Sequence, residues 1–316
     1  MKRALDLSIV IVNWNTRDLL VRCLGTLSSG AQGVSYEVVV VDNASTDGSR
    51  DGVKRDFPEV RLVSNTSNVG FCAATNQGIR ASSGCYVLLL NSDTEVRDGA
   101  LARMVGYMDR HAEVGIVGPK LRNRDGSLQL SCGIPPSLST ELFNKMLLHI
   151  LFPFYKLGDW DHRETRTVGW VSGACLMARR AMLDRIGLLD ERMYMFYEDI
   201  ELCLRARRRG WHVVYLPSSE VIHLGGQSVQ QDFGRMLVVS QRSTFYFFQK
   251  HYTGLDLRLL RLFTVGEMVL RSLLWGGIGL AYSARRVESR RRLKAYWTIL
   301  RRSLWDRTYW SPLTGC

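Results

Sequence analysis

Four short aliphatic runs, at positions 7–12, 37–41, 60–63 and 86–90, constrain this chain's fold more than any other feature. Each is too continuously apolar to keep a solvent face, as expected of strands buried on both sides in a parallel sheet. Amphipathic helical patterns at 16–27, 47–56, 71–81 and 99–110 alternate with them. Such alternation makes βαβ units and an open, doubly wound α/β sheet. Ligands of such sheets bind beyond the carboxyl ends of the strands. Those ends are 13–15, 42–45, 65–70 and 91–93, and all four are rich in Asp and Asn.

Beyond residue 118 the pattern is less regular, with Pro135-Pro136 and Pro153 punctuating an apolar stretch at 142–155. A compact segment follows at 170–177, then a helix expected over 194–209 with Gly210 as its C′ residue. Short strands are read at 213–216 and 221–223. From Arg235 the chain becomes helical, basic and aromatic. The expected organisation is an α/β domain over 1–234, with halves of about 1–118 and 119–234, and an extension over 235–316.

Charge follows the same division. The net charge is +12, and from Arg235 onward 15 Lys and Arg stand against four acids, so +11 lies there and about +1 in the first 234 residues. A nucleic-acid binder that is basic throughout would not be so divided, and none is expected as a partner. No run reaches the roughly 20 apolar residues of a membrane span; the nearest, 264–282, carries Glu267 and Arg271. The apolar run at 7–12 is too short for a leader, so the body of the chain is expected in the cytoplasm. The seven cysteines form no C-x-x-C pair, which speaks against structural zinc and for buried free thiols.

The first strand-to-helix turn, Asn13-Trp14-Asn15-Thr16, has none of the glycines a dinucleotide fingerprint requires. Asp42, ending the second run, suits a ribose hydroxyl but does so in more than one fold. Asn91-Ser92-Asp93 follows a buried strand, where a carboxylate can hold Mg²⁺ or Mn²⁺ against phosphates or simply cap the next segment. The cluster Tyr197-Glu198-Asp199-Ile200-Glu201 opens a short helix that ends in arginines. Macrodipole complementation explains charge at both ends, yet not two adjacent carboxylates preceded by Tyr194, Phe196 and Tyr197. Aromatic walls bind sugar faces and raise a carboxylate towards the range of a general base. His223, alone after a strand, is ordinarily structural.

Taken in order, these segments resemble family 2 glycosyltransferases. The resemblance is carried by Val41-Asp42-Asn43-Ala44-Ser45-Thr46-Asp47-Gly48-Ser49, Asn68-Val69-Gly70-Phe71 and Leu90-Asn91-Ser92-Asp93. Trp170-Val171-Ser172-Gly173-Ala174, Tyr197 to Arg205 and Val221-Ile222-His223 complete it. It covers about 7–227 and is nearest to the rhamnosyltransferase-like branch. The resemblance implies a GT-A fold, with a Rossmann-like nucleotide half and an acceptor half. It also implies inversion by single displacement and Mg²⁺ or Mn²⁺ under the nucleotide diphosphate. Asp199 matches the catalytic base, with Glu198 beside it. Asp42, Asn13, Asn15, Asn43, Asn68, Gly70 and Asn91 match the nucleotide site. Asp93 and His223 match the metal site, and Trp170, Gly173 and Tyr197 the sugar or acceptor pocket. Asn91 replaces the first acid of the family's D-x-D, which leaves the metal one charge weaker.

The expected activity is transfer of a sugar, L-rhamnose from dTDP-rhamnose, to a cell-surface glycan or lipid-linked acceptor. The alternatives are a UDP-hexose, UDP-GlcNAc or UDP-galactofuranose donor, or a catalytically silent GT-A module serving as a membrane assembly partner. In the extension, Leu255, Leu259, Leu260, Leu262 and Phe263 interleave with Arg258 and Arg261, and Trp275, Tyr282, Trp297, Trp305 and Trp310 follow. That pattern is expected to hold the chain peripherally on the inner face of an anionic membrane. A helical cap or a homo-oligomer interface is the competing reading.

Overall fold

The computed structural model describes residues 5–146, 160–225, 233–306 and Tyr309. It divides into two compact units. The first comprises Met1–Pro135, Gly158–Glu191 and Glu198–Ser228; the second comprises Pro136–Leu157, Arg192–Tyr197 and Val229–Cys316. This differs from a single cut between 234 and 235, because among the described residues 136–146 and 192–197 group with the C-terminal helices.

The chain opens with β1 (Leu7–Asn13), α1 (Arg17–Gly25), α2 (Leu27–Gly30), β2 (Tyr36–Asp42) and α3 (Ser49–Asp56). There follow β3 (Arg61–Ser64), α4 (Phe71–Arg80), β4 (Tyr86–Asn91), β5 (Thr94–Val96), α5 (Ala100–Arg110) and β6 (Val114–Arg122). Next come β7 (Leu128–Gln129), β8 (Cys132–Gly133), α6 (Leu138–Lys145, in the second unit), β9 (Arg166–Thr167), β10 (Trp170–Val171) and β11 (Cys175–Arg179). The first unit closes with α7 (Arg180–Ile186), α8 (Glu198–Arg208) and β12 (His212–His223).

The main sheet runs β3-β2-β1-β4-β11-β6-β12-β5 and is mixed but mostly parallel. The expected parallel half is β3-β2-β1-β4. Its central strands are buried along nearly their whole length, which is why they are aliphatic without alternation. The edge strand β3 departs from that expectation, with Arg61 and Ser64 exposed. Helix α4 lies close on the sheet, because a Cβ at Gly78 would stand 2.3 Å from Val10 Cγ1. Beyond β4 the sheet turns antiparallel at β11, a direction that apolar patterning does not encode.

Two expected elements differ. The strands read at 213–216 and 221–223 are one strand, β12, with a register shift between Leu216 and Glu220. Pro217 lies in that shift, where a missing N–H costs no ladder bond. The helix expected from 194 begins at Glu198, because Phe196 and Tyr197 have φ of 70° and 67°. Left-handed backbone at two bulky residues is strained and ends any helix there.

In the second unit, α6 is joined by α9 (Phe233–His251), α10 (Gly254–Ala281) and α11 (Arg286–Trp305). Among the described residues, no helix is long and apolar enough to cross a membrane. Leu260 is buried rather than exposed, and Trp275 lies 4.2 Å beneath the Arg292 guanidinium. Trp310 and the 147–155 part of the apolar stretch lie outside the described residues. Five of the six described cysteines are buried, and burial pushes the Cys23 thiol up to about 12.

Candidate active site

Strand register sets the polar residues of β1, β2 and β4 side by side at the carboxyl edge. Asn13 pairs with Asp42, Asp42 with Ser64, and Val12 with Asn91. Asn13 Nδ2 donates to Asp42 Oδ1 at 3.2 Å and to Ser45 Oγ at 3.0 Å. Its Oδ1 accepts from Thr16 Oγ1 at 2.7 Å, and Ser92 Oγ lies 2.8 Å from that hydroxyl. The Asp42 carboxylate is only 1% exposed and accepts also from Ser45 N–H at 3.1 Å and Arg50 Nε at 2.7 Å. In this state Asp42 acts inside the protein, shaping the loop that follows β2, where Ala44 has φ 66°.

The neighbouring loop is stapled by Asn43. Its Nδ2 donates to Asn68 Oδ1 at 2.9 Å and Gly70 O at 3.2 Å, while its Oδ1 accepts from Asn65 and Val69 N–H. Asn68 Oδ1 also accepts the Gly70 N–H at 3.0 Å. Asn15, with φ 53°, receives the Thr46 N–H on its Oδ1 at 2.8 Å. Asn13, Asn15, Asp42, Asn43, Asn68 and Gly70 therefore form one connected edge. Ser45, Asn65 and Ser92, within the strand ends that the sequence singled out, belong to it too, as do Thr16 and Arg50, which the sequence read as helix residues.

Asp93 and His223 come together: His223 Nε2 is 3.3 Å from Asp93 Oδ1 and 3.4 Å from Asn91 Nδ2. His223 Nδ1 lies 2.7 Å from Gln129 Oε1. An amide oxygen only accepts, so Nδ1 carries a proton, and Nε2 is the ring nitrogen turned towards the carboxylate. At that spacing the two side chains form an ion pair when the ring is charged, and can serve as adjacent ligands of one cation when Nε2 is unprotonated. Carboxylate and phosphate oxygens suit Mg²⁺ or Mn²⁺, and the imidazole nitrogen suits the softer Mn²⁺ better than Mg²⁺. Among the described residues no group of three or more His, Cys, Asp or Glu forms a metal cage, so a bound phosphate would have to complete the shell. Gln129 was missed; it is 94 residues from His223, and no local signal ties them.

The turn after β10 bridges this site to the acidic helix. Ala174 O accepts from Asn91 N–H at 3.0 Å, and Gly173 N–H donates to Asp199 Oδ2 at 2.8 Å. Asp199 Oδ1 accepts from Ile200 N–H at 2.8 Å. Trp170 pairs with Gly133 in the small β8–β10 sheet and packs its indole against that glycine. Tyr197 falls in the second unit, where its hydroxyl bonds Glu141 and its ring lies 5.3 Å from Phe247.

The acids of α8 have distinct fates. Glu201 is fully buried and ion-paired with Arg205 at 2.7 Å, a structural pair. Glu198 is buried with no partner on Oε2. Burial first, and the Asp199 charge second, push the Glu198 carboxyl up to about 8. Burial raises Asp199 as well, against the Gly173 and Ile200 N–H groups that favour its ionised form. Adjacent carboxyls whose surroundings differ divide into one protonated and one ionised group.

Two outcomes follow from this geometry. A folded pKa above the unfolded value means the native state holds an extra proton, so stability falls as pH rises from the ordinary glutamate range towards 8. Melting at pH 5 and pH 9 should show that loss in the parent and a smaller one in Glu198→Gln. A Cβ at Gly173 would sit 3.3 Å from Asp199 Cβ and 3.5 Å from its Oδ2. Gly173→Ala is therefore expected to displace the carboxylate and slow turnover about 10- to 100-fold with melting little changed; unaltered turnover would remove Gly173 from the site.

The family model for "Glycosyl transferase family 2" matches residues 8–187. The chain belongs to that family. Like other glycosyl transferase family 2 members, it is a nucleotide-sugar-dependent glycosyltransferase with a GT-A fold. It is 30% identical over 307 residues to the N-acetylglucosaminyl-diphospho-decaprenol L-rhamnosyltransferase of Mycobacterium tuberculosis, spanning 91% of this chain and 97% of that protein. It is 26% identical to the dTDP-rhamnosyl transferase RfbF of Shigella flexneri, over 70% of each chain. Among solved structures, the mannosyltransferase PcManGT from Pyrobaculum calidifontis, in complex with GDP-Man and Mn²⁺, is similar in fold. Its TM-score is 0.56 at 17% identity, covering 97% of this chain and 89% of that one.

Proposed function

We propose that this glycosyltransferase moves L-rhamnose from dTDP-rhamnose, with inversion, to the hydroxyl of a lipid-linked or cell-surface glycan acceptor. The observation that carries the reading is the bridge from Asp199 through Gly173 and Ala174 to Asn91, beside the facing pair Asp93 and His223. It links a candidate base to a candidate diphosphate site by short, directed bonds. Support for rhamnose and for a lipid-linked acceptor is the likeness to the mycobacterial and Shigella proteins.

In this mechanism Asp199 takes the acceptor hydroxyl proton while that oxygen attacks the anomeric carbon opposite the leaving dTDP. The Gly173 and Ile200 N–H groups hold the carboxylate in place, and protonated Glu198 keeps the neighbouring position uncharged. The connected edge of Asn13, Asn15, Asn43, Asn68 and Gly70 binds the nucleoside, with Asp42 fixing its shape. Trp170 lines the sugar pocket, and Tyr197 is assigned to the acceptor. Mg²⁺ or Mn²⁺, held by Asp93 and His223, would supply charge neutralisation to the leaving diphosphate. The chain works as a peripheral protein on the inner face of an anionic membrane.

A donor panel tests the reading. The protein with metal should turn over dTDP-rhamnose faster than UDP-glucose, UDP-GlcNAc or UDP-galactofuranose, measured as nucleotide diphosphate released. Preference for a UDP-sugar would replace the donor; no release from any donor would favour a silent module.

A further inference from the structure

Helix α10 buries Glu267 and turns a row of leucines outward, with Arg258 and Arg261 also exposed. Its buried face carries Leu260, Thr264, Glu267 and Met268. Glu267 there accepts from Lys145 Nζ at 3.2 Å and from Arg271 Nε at 2.9 Å, and Lys145 also reaches Gln241 at 2.9 Å. On the outward face Leu255, Leu262, Val269, Leu273 and Leu280 are 65%, 66%, 45%, 70% and 84% exposed. Their spacings of seven, seven, four and seven residues make one stripe, about 37 Å long at helical rise. A helix packed for water does the reverse, so this face is built to meet something apolar.

Charge says what that is. Helix α11, packed against α10, carries seven basic residues and one acid. Arg290, Lys294, Trp297, Arg301 and Trp305 are all exposed on it. Ser289 Oγ ties the two helices by donating to Trp275 O at 2.6 Å. An open apolar groove of about 430 Å³, lined by Leu270, Leu274, Gly277, Ile278 and Tyr282 among others, runs along the same helix. Leucines in a row, with a neighbouring face of arginine, lysine and tryptophan, match the layered chemistry of a bilayer interface: acyl chains, then headgroups, then anionic charge. A second copy docked on the stripe would bring two strongly basic helices together, which like charge opposes.

We propose that the exposed stripe of α10 lies in the interface of a bilayer containing anionic lipid, parallel to its plane, with the basic face of α11 against the headgroups. This deepens the membrane-surface part of the proposed function and rests on it. The bound segment inserts its outward leucines without crossing, and the buried Glu267 cluster stays within the protein.

The test uses the full chain with sedimenting vesicles of phosphatidylcholine alone or with phosphatidylglycerol, at low and high salt. The partner variants are Leu262→Glu and Leu273→Glu, together and singly, both at exposed positions. Melting and dTDP-rhamnose hydrolysis in solution report fold and active site separately. The expected result is binding to the anionic vesicles only, weakened by salt, and weakened at least about tenfold in the double variant with melting and hydrolysis unchanged. If parent and double variant bind alike, α10 is not the contact, although the membrane reading survives. If the parent ignores anionic vesicles at low salt, both fall. If the parent is a dimer that the double variant converts to monomer, the stripe is a subunit interface and the proposal is overturned.

Discussion

Asp199→Asn is expected to lower sugar transfer about 10²- to 10⁴-fold, the range for loss of a general base. The amide keeps the shape of the carboxylate and its oxygen still accepts the Gly173 N–H, but its Nδ2 then faces the Ile200 N–H, so folding should weaken by about 1–3 kcal/mol while donor binding hardly changes. What is lost is the ability to take a proton from the acceptor hydroxyl. The pH profile separates this role from a packing role. Burial raises Asp199, so the parent's rate should fall with acid along a limb lying above the ordinary aspartate range. The residual rate of the variant should lack that limb. Glu198→Gln supplies the contrast: a residue already protonated, and so uncharged, can become a neutral amide with much less effect on transfer. Transfer near the parental rate in Asp199→Asn, or equal losses in both variants, would move the base elsewhere.

The second large effect concerns Asp93. Chelation is expected to abolish transfer, and added Mg²⁺ or Mn²⁺ to restore it, because an unneutralised diphosphate is a poor leaving group. Asp93→Ala should then remove the metal-dependent part of dTDP binding, read by calorimetry with and without Mn²⁺, and leave metal-free binding intact. Since His223 and Asp93 face each other at 3.3 Å, His223→Ala should reduce the same increment by a smaller amount. Asn91 contributes no charge here, so the site leans on one carboxylate and the effect of losing it should be steep. Full activity in chelator, or dTDP binding in Asp93→Ala that still rises with Mn²⁺, would contradict the arrangement.

Much of the site was legible in order along the chain. Asp42, Asn91, Asp93 and Asp199 each follow an apolar strand or open a helix, and strand ends are where α/β sheets bind. What each residue does was less legible. Asp42 reads as a ligand for ribose, and the fold adds the three donors its oxygens already hold, from Asn13, Ser45 and Arg50. Tyr197 reads as part of the pocket beside Asp199, and its hydrogen bond to Glu141, 56 residues away, carried no local signal. Gln129 carried no signal at all, because its role depends on a contact across 94 residues.

The same divide runs through the fold. Local patterning determined the parallel strands β1, β2 and β4 and the helices between them, because burial on both faces demands continuous aliphatic residues. It determined too that a basic, aromatic tail follows the α/β body. Direction and partnership were decided only by tertiary structure: β11 is as apolar as β4 but runs against it. The leucines of α10 have the composition of a core helix, and only packing reveals that Glu267 turned inward and left them outside. Composition sets how much apolar surface a helix has; the neighbours it packs against set which face of it meets the protein.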